Sequence, residues 1–109
     1  MACRVVWTDR ARQDLEDIIE YIAVTLASPQ AAREHLTAFA EAVDRISHNP
    51  KLYAISSQLS CAARNLRTCF IKRYVLLYSF HDEELVIVNR IFSTLRDYAS
   101  LIAAAGSEE

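Results

Sequence analysis

Residues 74–91 decide the fold of this chain, and they read YVLLYSFHDEELVIVNRI. Two runs rich in β-branched and aromatic side chains, 74–80 and 85–91, flank a polar His-Asp-Glu-Glu quartet, which is typical of two strands joined by a turn. Both runs are apolar at almost every position, as expected for central strands covered on much of both faces. A similar run at 65–71, set off by Lys72 and Arg73, predicts a three-stranded meander.

Two helices are predicted before this meander. The first begins at Thr8, and its apolar stripe at helical spacing consists of Leu15, Ile18, Ile19, Ile22 and Leu26. Ser28 and Pro29 suit the N-cap and first position of the second helix, which ends before Asn49 and Pro50. Its apolar seam consists of Ala32, Leu36, Phe39, Val43 and Ile46. The connector is short, so the two helices should form an antiparallel hairpin.

The remaining segments complete an α+β fold. Residues 3–7 predict a strand beside the meander, and residues 51–63 predict a loop. Thr94 and Asp97 fit a capping box for a short C-terminal helix that ends at Gly106. The apolar stripe of that helix consists of Leu95, Tyr98, Leu101, Ile102 and Ala105.

The predicted architecture is therefore an N-terminal strand and an antiparallel helical hairpin packed on a mostly antiparallel sheet of three to four strands, followed by the short C-terminal helix. We expect one domain over residues 1–105 and a tail at 106–109.

Composition excludes several classes of protein. The chain has 109 residues, 52% of them hydrophobic, with 1 Gly and 2 Pro, so disordered, collagen-like and low-complexity chains do not fit. One glycine is too few for a Gly-rich phosphate loop, and we expect no nucleotide or other cofactor. Cys3, Cys61 and Cys69 are odd in number and lack zinc-ligand spacing, which favours a reducing cytoplasm and no metal. No apolar stretch reaches the ~20 residues of a membrane helix.

Charge is unevenly distributed along the chain. The formal net charge is -2, but residues 1–50 hold 5 basic and 8 acidic side chains, whereas residues 51–109 hold 7 and 6. Cations cluster around the first meander hairpin, and the candidate binding set consists of Arg64, Arg67, Lys72, Arg73, Arg90 and Arg96. Such a cluster can bind phosphates, although charged side chains also protect an ordinary sheet edge from pairing.

His81 and the tyrosine pair allow two interpretations each, whereas the carboxylates of the first helix allow one. His81, next to Asp82, could transfer protons near neutral pH or simply occupy a turn. Tyr74 and Tyr78 lie on one face of a strand, where they could stack on bases or belong to the core. The carboxylates of the first helix, Asp14, Asp17 and Glu20, are interpreted as a solvated face.

An ordered series of short motifs gives the chain a family resemblance. The series is Val6-Trp7-Thr8; residues 11–18; Tyr21-Ile22; residues 29–32; Ile46 with Asn49-Pro50; Leu66-Arg67; residues 74–78; residues 86–91; and Arg96-Asp97. In this order and spacing the chain resembles the RelE/ParE toxins of type II toxin-antitoxin systems, also called plasmid stabilisation proteins. The predicted order of strand, helical hairpin and meander is the fold of that family.

The resemblance implies a small bacterial toxin that a cognate antitoxin holds inactive by wrapping a C-terminal segment around it, in a toxin-antitoxin hetero-oligomer. One branch of the family cleaves messenger RNA on the ribosome. The other branch poisons DNA gyrase and catalyses no reaction. The chain is acidic, has Val75 where nucleases tend to carry Arg, and has Ser93 and Thr94 where they tend to carry His or Tyr. These departures favour a ParE-like gyrase inhibitor over the RelE-like ribosome-dependent endoribonuclease, which stays the alternative; a decayed toxin serving as a repressor partner is a third.

The resemblance also suggests roles for particular residues. The cationic set above would contact the target, and a nuclease would use Arg67, Arg90, Arg96 and His81. The antitoxin would bind an apolar groove between the helical hairpin and the sheet, for which the candidates are Leu15, Ile19, Ile22, Phe39, Tyr74 and Tyr78.

Overall fold

Four strands and two α-helices form the described part of the chain, residues 2–55 and 65–95, in this computed structural model. In chain order they are β1 (Arg4–Trp7), α1 (Asp9–Glu20), a π-helical segment (Tyr21–Thr25), α2 (Pro29–His48), β2 (Arg67–Ile71), β3 (Tyr74–His81) and β4 (Leu85–Ser93). The predicted α+β class, helical hairpin and meander are confirmed. The predicted C-terminal helix lies outside the described residues, as do Cys61, Arg64 and Arg96. Neither α-helix in the described ranges combines the length and apolar character needed to cross a bilayer.

The strands form one mixed sheet in the order β1-β4-β3-β2. The three meander strands pair antiparallel, whereas β1 pairs parallel to β4 from Arg4 opposite Leu85 to Trp7 opposite Val88. Because this pairing stops at Val88, the last residues of β4 have no strand beside them on that side within the described ranges.

Local capping explains where the helices begin. The Thr8 side chain accepts a hydrogen bond from the Ala11 N–H at 3.0 Å, and the Ser28 side chain accepts one from the Ala31 N–H. Pro29 occupies the first turn of α2, where its missing N–H costs nothing. The predicted starts of both helices are confirmed.

The end of the first helix differs from the prediction. After Glu20 the chain widens into the π-helical segment, and the Leu26 N–H donates to the Tyr21 carbonyl at 3.0 Å. One additional residue in a turn rotates the following side chains by about 100° relative to an α-helix. Leu26 is therefore 55% exposed rather than part of the apolar stripe. Leu36 was predicted to belong to the apolar seam of α2, but it lies at the flank of that seam and is 46% exposed, so the prediction was wrong for this residue.

The core lies between the helical hairpin and one face of the sheet. The hairpin contributes Ala11, Phe39, Ala42 and Ile46, and the strands contribute Cys69, Ile71, Leu76, Tyr78, Val86, Val88 and Ile91. Val75, Leu77 and Phe92, on the opposite face, are also buried. The two central strands are thus covered on both faces, as their nearly continuous apolar sequence predicts.

A β-bulge interrupts the pairing of the central strands. Leu77 lies opposite Arg90 but Tyr78 lies opposite Val88, so Asn89 is the additional residue. Hydrogen bonds fix it on both sides: the Asn89 carbonyl accepts from the Thr8 hydroxyl at 2.8 Å, and its side-chain amide donates to the Ser79 hydroxyl at 3.0 Å.

Candidate functional site

Two of the predicted target-binding arginines are held by the fold itself. The Arg67 guanidinium donates to the Tyr53 carbonyl at 2.8 Å. The Arg90 guanidinium forms an ion pair with the Asp14 carboxylate, donating from Nε to Oδ2 at 2.8 Å and from Nη2 to Oδ1 at 3.1 Å. The central carbon of this guanidinium lies 4.5 Å from the centroid of the Phe92 ring. Arg67 therefore holds the loop at Tyr53 to β2, and Arg90 holds α1 to β4.

Two other predicted cations face solvent. Lys72 and Arg73 form the turn between β2 and β3 and are both exposed. Neither side chain has an ion-pair or hydrogen-bond partner among residues 2–55 and 65–95. Among the four members of the predicted cationic set that the structure describes, two arginines are thus held by the fold and two cations are available.

The described residues of the nuclease set do not lie together. Arg67 pairs with Tyr78, whose side chain is in the core on the helical face of the sheet. His81 lies on the opposite face, where its Nε2 is 2.7 Å from the Ser79 hydroxyl. A sheet separates these two side chains, so they cannot act on the same phosphate.

A groove lies between α1 and the end of β4, where β1 no longer pairs. It encloses about 180 Å³ and is lined by Asp14, Asp17, Ile18, Tyr74, Arg90, Ile91, Phe92 and Ser93. The Tyr74 ring packs edge-on against His35 at 5.9 Å and tilted against Phe39 at 6.0 Å between centroids. Partial burial raises the pKa of the Tyr74 hydroxyl, which stays protonated at neutral pH. The groove combines apolar walls with a polar rim.

Comparison with known proteins identifies the family. Residues 5–98 match the model of the ParE toxin of type II toxin-antitoxin systems, parDE. The chain belongs to the ParE toxin family. A solved structure described as the chromosomal ParDE toxin-antitoxin system from P. aeruginosa has the same fold, with a TM-score of 0.66 and 19% sequence identity over 84% of this chain and 96% of that chain. No curated protein matches the chain at a significant level.

The groove of this ParE-family chain includes only part of the predicted antitoxin-binding set. Tyr74 lines it, and Leu15 and Ile19 on α1 are partly buried. By contrast, Ile22, Phe39 and Tyr78 are 3%, 1% and 0% exposed and belong to the core.

Tyr78 has a structural role in this core. Its hydroxyl donates to the Pro50 carbonyl at 2.8 Å, and burial raises the pKa of the hydroxyl to about 12. The interpretation of Tyr78 as a core residue is therefore correct. A base bound to the surface of the folded ParE-family chain cannot stack on it.

One residue of the groove was missed by sequence reasoning. The sequence assigns Asp14 to a solvated face, but its side chain is 15% exposed and accepts hydrogen bonds from Arg90 and from the Ile91 backbone N–H at 2.9 Å. That interpretation was wrong for Asp14, because its partner Arg90 lies 76 residues away on β4 and cannot be recognised from the neighbouring sequence. The available signal was its position four residues before Ile18, on the flank of the apolar stripe.

Proposed function

We propose that this ParE-family chain is a toxin that inhibits DNA gyrase by binding it, and that a cognate antitoxin neutralises it. The observation that carries the proposal is the separation of the candidate catalytic groups that lie in the described residues. General acid-base catalysis and charge stabilisation require groups within hydrogen-bond reach of one reacting centre. Arg67 and His81 lie on opposite faces of the sheet, and Arg90 is paired with Asp14. This arrangement supports a binding protein over a nuclease.

The groove between α1 and β4 supports the antitoxin half of the proposal. Ile18 and Tyr74 give it an apolar lining suited to the side chains of a partner segment. The Ile91 N–H at the adjacent edge of β4 already donates to Asp14. Beyond it, Ser93 has no strand neighbour on that side in the described ranges, so an extended partner segment could pair with the backbone there. We place the antitoxin segment in this groove, in contact with Tyr74 of the predicted set.

A supercoiling assay tests the function directly. Purified toxin is added to reconstituted gyrase, relaxed plasmid and ATP, and in parallel to translating ribosomes with a defined messenger. We expect loss of supercoiling or accumulation of gyrase-dependent DNA cleavage, with the messenger intact. Cuts in the ribosomal A site together with unimpaired gyrase would reject the proposal and establish the RelE-like alternative.

Two controls make the result specific. Toxin premixed with its antitoxin should leave supercoiling unchanged, which tests neutralisation in the same reaction. A type I topoisomerase acting on the same plasmid should be unaffected by the toxin. Inhibition of both enzymes would indicate an effect on the DNA rather than on gyrase.

A further inference from the structure

The β2–β3 turn stands at one end of the sheet and is hydrogen-bonded to Thr94, the residue that follows β4. Ile71 pairs with Tyr74, so Lys72 and Arg73 are the whole turn. The Arg73 carbonyl accepts two hydrogen bonds from Thr94, from its backbone N–H at 2.8 Å and its hydroxyl at 3.0 Å. These bonds hold Thr94 against the turn.

Two apolar side chains lie exposed beside these cations. Phe70, near the end of β2, is 59% exposed, and Leu95, next to Thr94, is 85% exposed. Phe70 lies on the sheet face away from the helices, in one row with Val75 and Phe92, which are buried. We call Phe70, Lys72, Arg73 and Leu95 the sheet-end patch. It combines two positive charges that have no ion-pair partner among residues 2–55 and 65–95 with exposed apolar surface, the composition of a contact surface rather than of a solvated turn.

The conformation of Lys72 does not explain the presence of lysine. Its φ is 54°, in the left-handed region that glycine adopts without steric cost. A lysine side chain is a steric disadvantage there, and it makes no ion pair or hydrogen bond within the described residues. The chain thus presents a cation at a position where the backbone favours glycine, which is consistent with a functional contact.

We infer that the sheet-end patch is the surface by which the toxin contacts its target, and that the target presents an acidic protein surface with an apolar recess. The inference rests on the proposed function and specifies the contact it requires. The two cations complement acidic groups, and Phe70 and Leu95 require an apolar counterpart.

Charge argues against a nucleic acid as the partner. A protein that binds duplex DNA strongly through its backbone can make about 6–10 phosphate contacts, whereas the patch offers two cations that lack a partner within the described residues. The hairpin behind the sheet carries 4 basic and 8 acidic residues over 9–48, and the whole chain has a net charge of -2. A polyanion would be repelled by most of the molecule, while an acidic protein surface of limited size would meet only the patch.

Charge reversal at the patch tests the inference. The variant is Lys72→Glu with Arg73→Glu, and the matched control is Arg12→Glu with Arg33→Glu, which makes the same change in net charge on exposed positions of α1 and α2. We expect the patch variant to bind immobilised gyrase holoenzyme at least about tenfold more weakly and to lose growth arrest in cells. The control should stay within about twofold of wild type, below the 1.4 kcal/mol of a tenfold change.

A second variant excludes misfolding as the cause. Lys72→Gly with Arg73→Ser removes both charges and supplies the residue that the turn conformation favours, so it should melt no lower than wild type while losing affinity. Phe70→Ser tests the apolar half of the patch and should also weaken binding. Equal binding by wild type and all patch variants would overturn the inference.

The outcomes separate the two proposals. Growth arrest that persists in the patch variants rejects the patch. Growth arrest that disappears in them, with wild-type toxin inactive against gyrase, keeps the patch and rejects gyrase. Tight binding of wild-type toxin to a duplex oligonucleotide alone, lost on charge reversal, would identify the partner as nucleic acid and reject the acidic protein surface.

Discussion

The carboxylate of Asp14 joins α1 to β4. It accepts hydrogen bonds from the Arg90 guanidinium and the Ile91 N–H, and the two charged side chains are 15% and 20% exposed. Fully buried pairs lose about 3–5 kcal/mol when one partner is removed and exposed pairs are worth at most about 1 kcal/mol. This pair lies between those limits, so the loss of Arg90 in an alanine variant would weaken the fold as well as any target contact.

Asp14→Asn should lower the free energy of unfolding by about 2 kcal/mol, because the amide cannot pair with the guanidinium charge. Asp17→Asn is the matched control, since Asp17 is an exposed carboxylate less than one turn away on α1 that accepts a bond from Gln13. It should change stability by no more than about 0.5 kcal/mol. Urea unfolding measures both variants, and equal effects would show that the Arg90 ion pair contributes nothing.

The Tyr78 hydroxyl predicts a loss of stability in alkali. Burial raises its pKa from about 10 in the unfolded chain to about 12 in the folded protein. Below pH 10 the phenol is protonated in both states; as the pH rises towards 12, only the unfolded chain ionises and is stabilised. The folded state should therefore lose about 2–3 kcal/mol relative to neutral pH from this group.

Tyr78→Phe isolates this contribution. The variant gives up the hydrogen bond to the Pro50 carbonyl, which costs about 1 kcal/mol at neutral pH, but has no phenol to ionise. The stability difference between wild type and variant should shrink and then reverse as the pH rises from about 9 to about 12. Denaturant unfolding across this range gives the two curves, and parallel curves would mean that Tyr78 titrates normally in the folded protein.

At the scale of elements, Thr8 joins β1, α1 and the bulge of β4. Its hydroxyl group accepts a hydrogen bond from the Ala11 N–H at 3.0 Å and donates one to the Asn89 carbonyl at 2.8 Å. Thr8→Val keeps the shape and removes both bonds, so it should cost about 2 kcal/mol, one part from the helix cap and one from the bulge carbonyl. Thermal unfolding monitored by circular dichroism measures the loss.

Thr8→Ser is the matched control, because its hydroxyl can make both bonds and only a methyl group is lost. It should retain most of the wild-type stability, within about 1 kcal/mol. If serine were as destabilising as valine, the methyl group would contribute as much to the junction as the two hydrogen bonds of the hydroxyl.

Elements that depend on local chemistry were predictable from the sequence. Thr8, Ser28 and Pro29 interact with residues within one helical turn, so both helices begin at the positions that the sequence predicts. The π-helical segment was not predictable, because an apolar residue at position 26 continues an α-helical stripe equally well. The parallel pairing of β1 with β4 was not predictable either, because it depends on how the helical hairpin positions the strands that follow it.

At the scale of the whole molecule, the site was less predictable than the fold. Tyr74 and Tyr78 share a strand face, yet one lines the groove and the other is fully buried, because the helices cover only part of that face. Lys72 and Arg90 belong to one cationic set in the sequence, but only Arg90 meets a carboxylate in the described structure. Partners that are distant in sequence decide which charges remain available.

The proposed antitoxin groove and the sheet-end patch adjoin each other. Tyr74 and Ser93 pair across the sheet and line the groove, and their sequence neighbours Arg73 and Thr94 are hydrogen-bonded at the patch. A partner segment that fills the groove therefore contacts residues that are direct sequence neighbours of the proposed target surface. Neutralisation by covering this surface requires no change in the shape of the toxin.

This arrangement predicts that antitoxin and target bind in mutually exclusive ways. Added antitoxin should release the toxin from immobilised gyrase, and no ternary complex should form at any ratio. Ile18→Glu places a charge in the groove beside Asp14 and Asp17, so it should weaken antitoxin binding at least about tenfold and leave cells arrested despite the antitoxin. Ile18→Leu, which preserves the apolar wall, should remain neutralised. A stable complex of all three proteins would show that the antitoxin acts at a distance from the target surface.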